Sequence, residues 1–179
     1  NSTKVTIHGT TAPTQDQPYI TPAAPTNLDN LTCNWNNIQD ANGNPVVNIT
    51  NWYINNESIT EGFYPFEGGS TSTYTQDYSG NGFNIENGNA TWDMTGGKVG
   101  GGYDFDGTCL YRTTASAPHP RNVTITAWIY PLDVIGTHHI VEYGSAFSGQ
   151  YPYTFYIGNN AQLWFRYGGT STVNTDAYN

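Results

Sequence analysis

The stretch Val123-Thr-Ile-Thr-Ala-Trp-Ile-Tyr130, followed by Pro131, decides the fold class. Val123, Ile125, Ala127 and Ile129 fall on one side of the run, and Thr124, Thr126, Trp128 and Tyr130 on the other. A period of two is the signature of a β-strand, and β-branched and aromatic side chains suit a pleated surface. Pro131 cannot donate to a ladder and closes the run. Downstream, residues 138–143, 153–157 and 161–167 read as further strands, the last two joined across Gly158-Asn-Asn160 as a hairpin.

The same reading extends upstream. Residues 1–8 form a short strand with Val5 and Ile7 alternating. Residues 9–26 are a linker, because Pro13, Pro18, Pro22 and Pro25 block helix and interior sheet positions, leaving Tyr19 and Ile20 for an edge strand. Residues 28–35 place Leu31, Cys33 and Trp35 on one face, and residues 46–54 form the next strand. Between them, Asp40-Ala-Asn-Gly-Asn44 is a polar turn; its Gly comes too early for a twelve-residue calcium loop. Residues 63–66, 89–92 and 103–105 are strands, and Asp77-Tyr-Ser-Gly-Asn-Gly82 is a tight polar loop. No segment of ten residues shows helical periodicity, so many short strands with closely spaced turns predict an all-β chain folded as an antiparallel β-sandwich.

Composition narrows function. The chain has 179 residues, a net charge of −9 and only five cations. Five scattered cations cannot neutralise a run of phosphates, which excludes a nucleic-acid partner. No apolar run reaches the roughly 18 residues of a membrane span, which argues against membrane insertion. Charged residues are 11% of the chain, against a usual figure of roughly 25%. Solubility therefore falls to 21 Asn, 25 Thr and 9 Ser. This is the composition of a secreted, cell-surface protein.

Asn-x-Ser/Thr occurs at Asn1, Asn30, Asn48, Asn56, Asn89 and Asn122. These are candidate N-glycosylation sites, which require surface loops and an extracytoplasmic route. Cys33 and Cys109 lie 76 positions apart. As a disulfide they would close a long loop, worth up to about 4–5 kcal/mol in the chain-entropy model; otherwise they are two separate thiols. Tyr111, Tyr151, Tyr153 and Trp164 are the candidate rings for stacking on sugars, with core packing as the alternative. His138 and His139 are adjacent, so on a strand they point to opposite faces and do not chelate together.

Residues 63–169 resemble the laminin-G/concanavalin-like module of bacterial and archaeal surface proteins. The resemblance is carried by Tyr64-Pro-Phe-Glu-Gly68, Asp77-Tyr-Ser-Gly-Asn-Gly82, Ala90-Thr-Trp92, Lys98-Val-Gly-Gly-Gly-Tyr-Asp-Phe-Asp-Gly107 and Thr124-Ile-Thr-Ala-Trp-Ile-Tyr-Pro131. Residues 12–61 resemble an immunoglobulin-like repeat, through Asn30-Leu-Thr-Cys-Asn34, Asp40-Ala-Asn-Gly43 and Ile49-Thr-Asn-Trp-Tyr53. The resemblance implies a jelly-roll sandwich over residues 62–179, a partial immunoglobulin-like unit over 27–61 and a donor-type strand over 1–8.

That resemblance sets the functional expectations. Concanavalin-like folds include glucanases, which need paired carboxyl groups about 5–5.5 Å apart for retention. The Glu-x-Asp-x-x-Glu pattern of those hydrolases is missing, so no catalytic residue is assigned and the chain reads as a non-enzyme. No cofactor is required; calcium is the one the resemblance allows, with Asp77, Asn81, Asp104 and Asp106 as oxygen ligands. The immunoglobulin-like part lacks its closing strands and the jelly-roll part its last strand pair, which leaves backbone groups for a neighbour to pair. The leading expectation is a structural or adhesive glycoprotein: either a subunit that self-associates into a filament by donating the Val5–Ile7 strand, or a fragment of a longer surface protein or a compact variant with degenerate edges. The alternative is a lectin-like module that binds glycans, with or without calcium.

Overall fold

A computed structural model describes residues 11–43, 46–67, 70–86, 88, 90–107, 123–145, 150–169 and 176–178. Among the described residues every regular element is a β-strand, apart from a single 3₁₀ turn at Asn159–Ala161. The chain divides into two compact units, Asn1–Thr113 and Thr114–Asn179.

The first unit is built from four two-stranded antiparallel ribbons. Strand β1 (Tyr19–Thr21) pairs with β2 (Thr32–Asn34), and β3 (Tyr53–Ile54) with β4 (Glu57–Ser58). Strand β5 (Tyr74–Thr75) pairs with β6 (Ile85–Glu86), and β7 (Thr91–Asp93) with β8 (Gly102–Asp104). The edge strand expected at Tyr19 and Ile20 is present as β1.

The predicted strands at 46–54 and 63–66 need correction. Of the first, only Tyr53 and Ile54 are in a ladder, because the chain reverses at once through Asn55 and Asn56 into β4. The second is not a strand at all. Phe66 has φ +61°, off the extended conformation, and Pro65 offers no amide to a ladder.

The first unit is held by polar groups more than by an oily core. Its buried side chains among the described residues include Glu67, Ser70, Thr75, Asp77 and Ser79, but only Ala90 among apolar types. Ser70 Oγ and Thr75 Oγ1 share a buried hydrogen bond of 2.9 Å. Trp92 donates its indole N–H to the Phe66 carbonyl at 2.9 Å, and Phe66 meets Tyr103 edge-on at 5.0 Å. Buried polar groups are tolerable only when paired, and these are.

The described strands of the second unit form a four-stranded antiparallel sheet in the order β12-β11-β10-β9. The strands are β9 (His138–Ser145), β10 (Gln150–Ile157), β11 (Leu163–Gly169) and β12 (Asp176–Tyr178). The expected hairpin is present between β10 and β11, carried by Gly158 and the 3₁₀ turn. Register shifts in both ladders span Pro152, which has no N–H to offer either neighbour. Tyr156 and Ile157 are buried on opposite sides of this sheet.

Residues 123–130, the most regular alternation in the sequence, join no strand of the described sheets. Trp128, Tyr130, Leu132 and Ile135 stand 82–88% exposed. The strand expected there is therefore absent, because a strand exists only against a partner and none of the described strands lies beside it. The observed architecture is thus all-β with small antiparallel sheets.

Candidate functional site

The side chains of the first unit converge on the loop after β5. Asp77 is almost sealed from solvent. Its Oδ1 accepts the amides of Phe63 at 2.9 Å and Ser79 at 2.8 Å. Its Oδ2 accepts the Ser79 hydroxyl at 2.6 Å and the Phe83 amide at 2.9 Å. Burial works to raise the carboxyl's pKa, but these hydrogen bonds outweigh it and hold the pKa below the usual carboxylate value. The Asp77 amide in turn donates to Asn84 Oδ1 at 3.0 Å. The loop 77–84 is wound around one carboxylate.

Asn51 is a second hub. Its Nδ2 lies 3.0 Å from Ser58 Oγ and 3.1 Å from the Tyr78 carbonyl, and its Oδ1 accepts the Trp52 amide at 2.8 Å. Asn81 donates to the Glu61 carbonyl at 3.0 Å. These bonds tie the β3–β4 hairpin to the loop 77–82, which is why residues of the expected 27–61 and 62–179 regions share one compact unit.

Between hairpin and loop lies a cavity of about 330 Å³. Tyr53, Asn56, Glu57 and Ser58 line it from the hairpin; Ser79, Gly80 and Asn81 line it from the loop, with Glu61 between. The lining is thus two glutamates, two asparagines, two serines, a glycine and one tyrosine. Such a lining suits a hydroxyl-rich molecule: polar groups read hydroxyls and the ring offers an apolar face. Gly80 has φ +93°, a conformation that suits glycine, and a Cβ there would only touch the Tyr53 hydroxyl, at 3.7 Å.

The sequence-predicted residues fare unevenly. Asn81 and Asn56 line the cavity. Asp77 braces its loop and has no lone pair left for a cation. Asp104 sits on β8 opposite Thr91, and Asp106 is exposed beyond its end. Among the described residues no three His, Cys, Asp or Glu side chains gather as a metal site. Cys33 is a half-buried thiol opposite Ile20 in the β1–β2 ribbon, and Cys109, its candidate partner, lies outside the described residues. Asn30 is exposed and Asn48 half-buried. Asn1, Val5, Ile7, Asn89, Cys109, Tyr111 and Asn122 lie outside the described residues.

In the second unit Tyr151 belongs to β10, and half-buried Tyr153 pairs with Tyr143 and Tyr167. Trp164 stacks on Tyr156, with ring centroids 6.3 Å apart and planes 8° apart. On its far side Tyr156 stacks on His139 at 5.5 Å. Trp164 therefore packs within the sheet's own aromatic row. His139 Nδ1 lies 2.7 Å from Glu142 Oε2, while His138 Nε2 lies 3.1 Å from Asp133 Oδ1. His138 pairs with Ile157 and His139 with Tyr156, so the two imidazoles leave opposite faces of the sheet, as read from their adjacency.

Sequence reasoning missed Tyr53, Glu57, Glu61 and Gly80 as neighbours of one cavity. The available signal was the Asn55-Asn56 turn between short strands, which fixes the hairpin and so the direction of Tyr53. No helix among the described residues is long and apolar enough to cross a membrane. No family model, curated protein or solved structure matches the chain.

Proposed function

We propose that the chain is a non-enzymatic extracellular glycoprotein with a structural or adhesive role, which self-associates by β-strand pairing. In this reading residues 62–179 belong to a laminin-G-like sandwich completed by a neighbour, and the 1–8 strand with Val5 and Ile7 is the donor. The observation that supports it is the run 123–135. It has the strongest strand pattern in the sequence, joins no described sheet, and leaves Trp128, Tyr130, Leu132 and Ile135 more than four-fifths exposed. Monomeric soluble proteins seldom leave such apolar groups uncovered together. Among the described residues the edge strands β9 and β12 each pair on one side only, and a further strand could add there.

Analytical ultracentrifugation across a wide concentration range, with electron microscopy of the concentrated sample, tests this. Concentration-dependent assembly is expected, and it should be weakened by Thr126→Pro, which removes one backbone donor from the run. A chain that stays monomeric well above micromolar concentration rejects self-association.

A second reading, a glycan-binding module, is supported by the polar cavity with its single ring, Tyr53. A monomer retained on an immobilised sugar, and released by Tyr53→Ala, would favour it. No binding above background on a glycan array would reject it.

A further inference from the structure

The β3–β4 hairpin carries a sequon at its turn. Its two turn residues, Asn55 and Asn56, have φ +54° and +67°, both in the left-handed region. That is the two-residue hairpin turn whose twist matches its strands, and asparagine is among the few residues that adopt it readily. Asn56 is also the first residue of the sequon Asn56-Glu-Ser58. Tyr53 and Ser58 are direct cross-strand partners, so their side chains leave the same face of the ribbon.

Asn56, Ser58 and Tyr53 all line the one cavity of about 330 Å³. Asn56 is exposed, and Tyr53 keeps 54% of its surface open to solvent. Because Asn56 lines that cavity, a pyranose attached at its amide nitrogen starts beside it. One face of such a ring carries axial C–H groups and is apolar; the Tyr53 ring offers a matching apolar face three residues earlier. Glu61 and Asn81 line the same space, and a carboxylate and an amide are groups that suit the hydroxyls around a sugar's rim.

We infer that Asn56 is an N-glycosylation site whose first sugar packs on Tyr53 in this cavity, so that the glycan becomes part of the fold of the first unit. The inference deepens the reading of the chain as an extracellular glycoprotein and rests on it. It separates Asn56 from Asn30 and Asn48, which do not line the cavity.

The test is secretion of the full chain from a host that glycosylates Asn-x-Ser/Thr, followed by peptide mass spectrometry and thermal unfolding. Occupancy at Asn56 is expected. Trimming to the first sugar should leave the unfolding midpoint unchanged, whereas complete removal should lower it by about 2–4 °C. In Tyr53→Ala that difference should vanish, and in Tyr53→Phe, which keeps the ring, it should return. If no sequon on the chain is occupied, the glycoprotein reading falls and takes this inference with it. If other sequons are occupied and Asn56 is not, or if removing the Asn56 sugar shifts wild type and Tyr53→Ala alike, this inference alone is overturned.

Discussion

The Glu67 carboxylate accepts the Gly101 amide at 2.9 Å across 34 positions of sequence. Gly100, beside it, has φ +66°, and a Cβ there would run into the Glu67 carboxylate itself. The glycine-rich run 96–102 is thus a cradle for a buried carboxylate. Gly100→Ala combines an unfavourable φ with that collision and should cost about 1–3 kcal/mol. Urea unfolding measures it; a cost within experimental error would show that the cradle is not tight.

Asp77 accepts four hydrogen bonds, and an amide in its place cannot. In Asp77→Asn one oxygen becomes an NH₂ that faces either the Ser79–Phe63 donors or the Ser79–Phe83 donors. Hydrogen bonds to a charged acceptor are worth about 1.5–3 kcal/mol each, so a loss of about 2–4 kcal/mol is expected. An unchanged unfolding midpoint would deny Asp77 its role as hub.

The same carboxylate sets an acid limit. Its folded pKa lies below the unfolded value near 3.8. A lowered carboxyl contributes its full stabilisation above the unfolded pKa and loses it as pH falls through the folded one. Stability of the first unit should therefore decline on acidification below about pH 4, and less steeply in Asp77→Asn. Denaturant midpoints measured from neutral pH downward check this, and parallel slopes in the two proteins would reject it.

Trp92 closes the loop 66–67 onto β7 with one indole N–H. Trp92→Phe keeps most of the ring and loses the donor, leaving the Phe66 carbonyl short of a partner. A destabilisation of about 1 kcal/mol is expected from unfolding curves. A neutral result would mean that water or a neighbouring amide replaces the indole.

In the second unit a Cβ on Gly158 would lie 2.6 Å from the Trp164 indole nitrogen. Gly158→Ala should push the indole off Tyr156 and cost about 1–3 kcal/mol, as overpacking does. Near-ultraviolet circular dichroism reads the loss of the stacked pair; an unchanged aromatic spectrum would count against close packing there.

What was legible in the sequence is local in origin. The strands at 138–143, 153–157 and 161–167 follow from alternation and turn residues, and β9 to β11 appear there. The polar loop at 77–82 was legible from its Asp, Ser and glycines, though a calcium site was also expected of it. Asp77 instead accepts the amides of residues 63, 79 and 83 and the Ser79 hydroxyl, and two of those residues lie outside the loop. Tyr53 was read only as a strand residue, because its nearness to Asn81 depends on how hairpin and loop meet.

The sequence by itself determined that this chain is built of strands and turns, since alternation, β-branching and turn chemistry act within a few residues. The tertiary structure decided which of those segments become strands. Residues 63–66 give up their ladder because Phe63 donates to Asp77 and Phe66 turns into the left-handed region. Residues 123–130 keep their pattern and join no described sheet. A helix closes its hydrogen bonds within its own segment, whereas a strand closes them only on another, so strand propensity is local and strand existence is not.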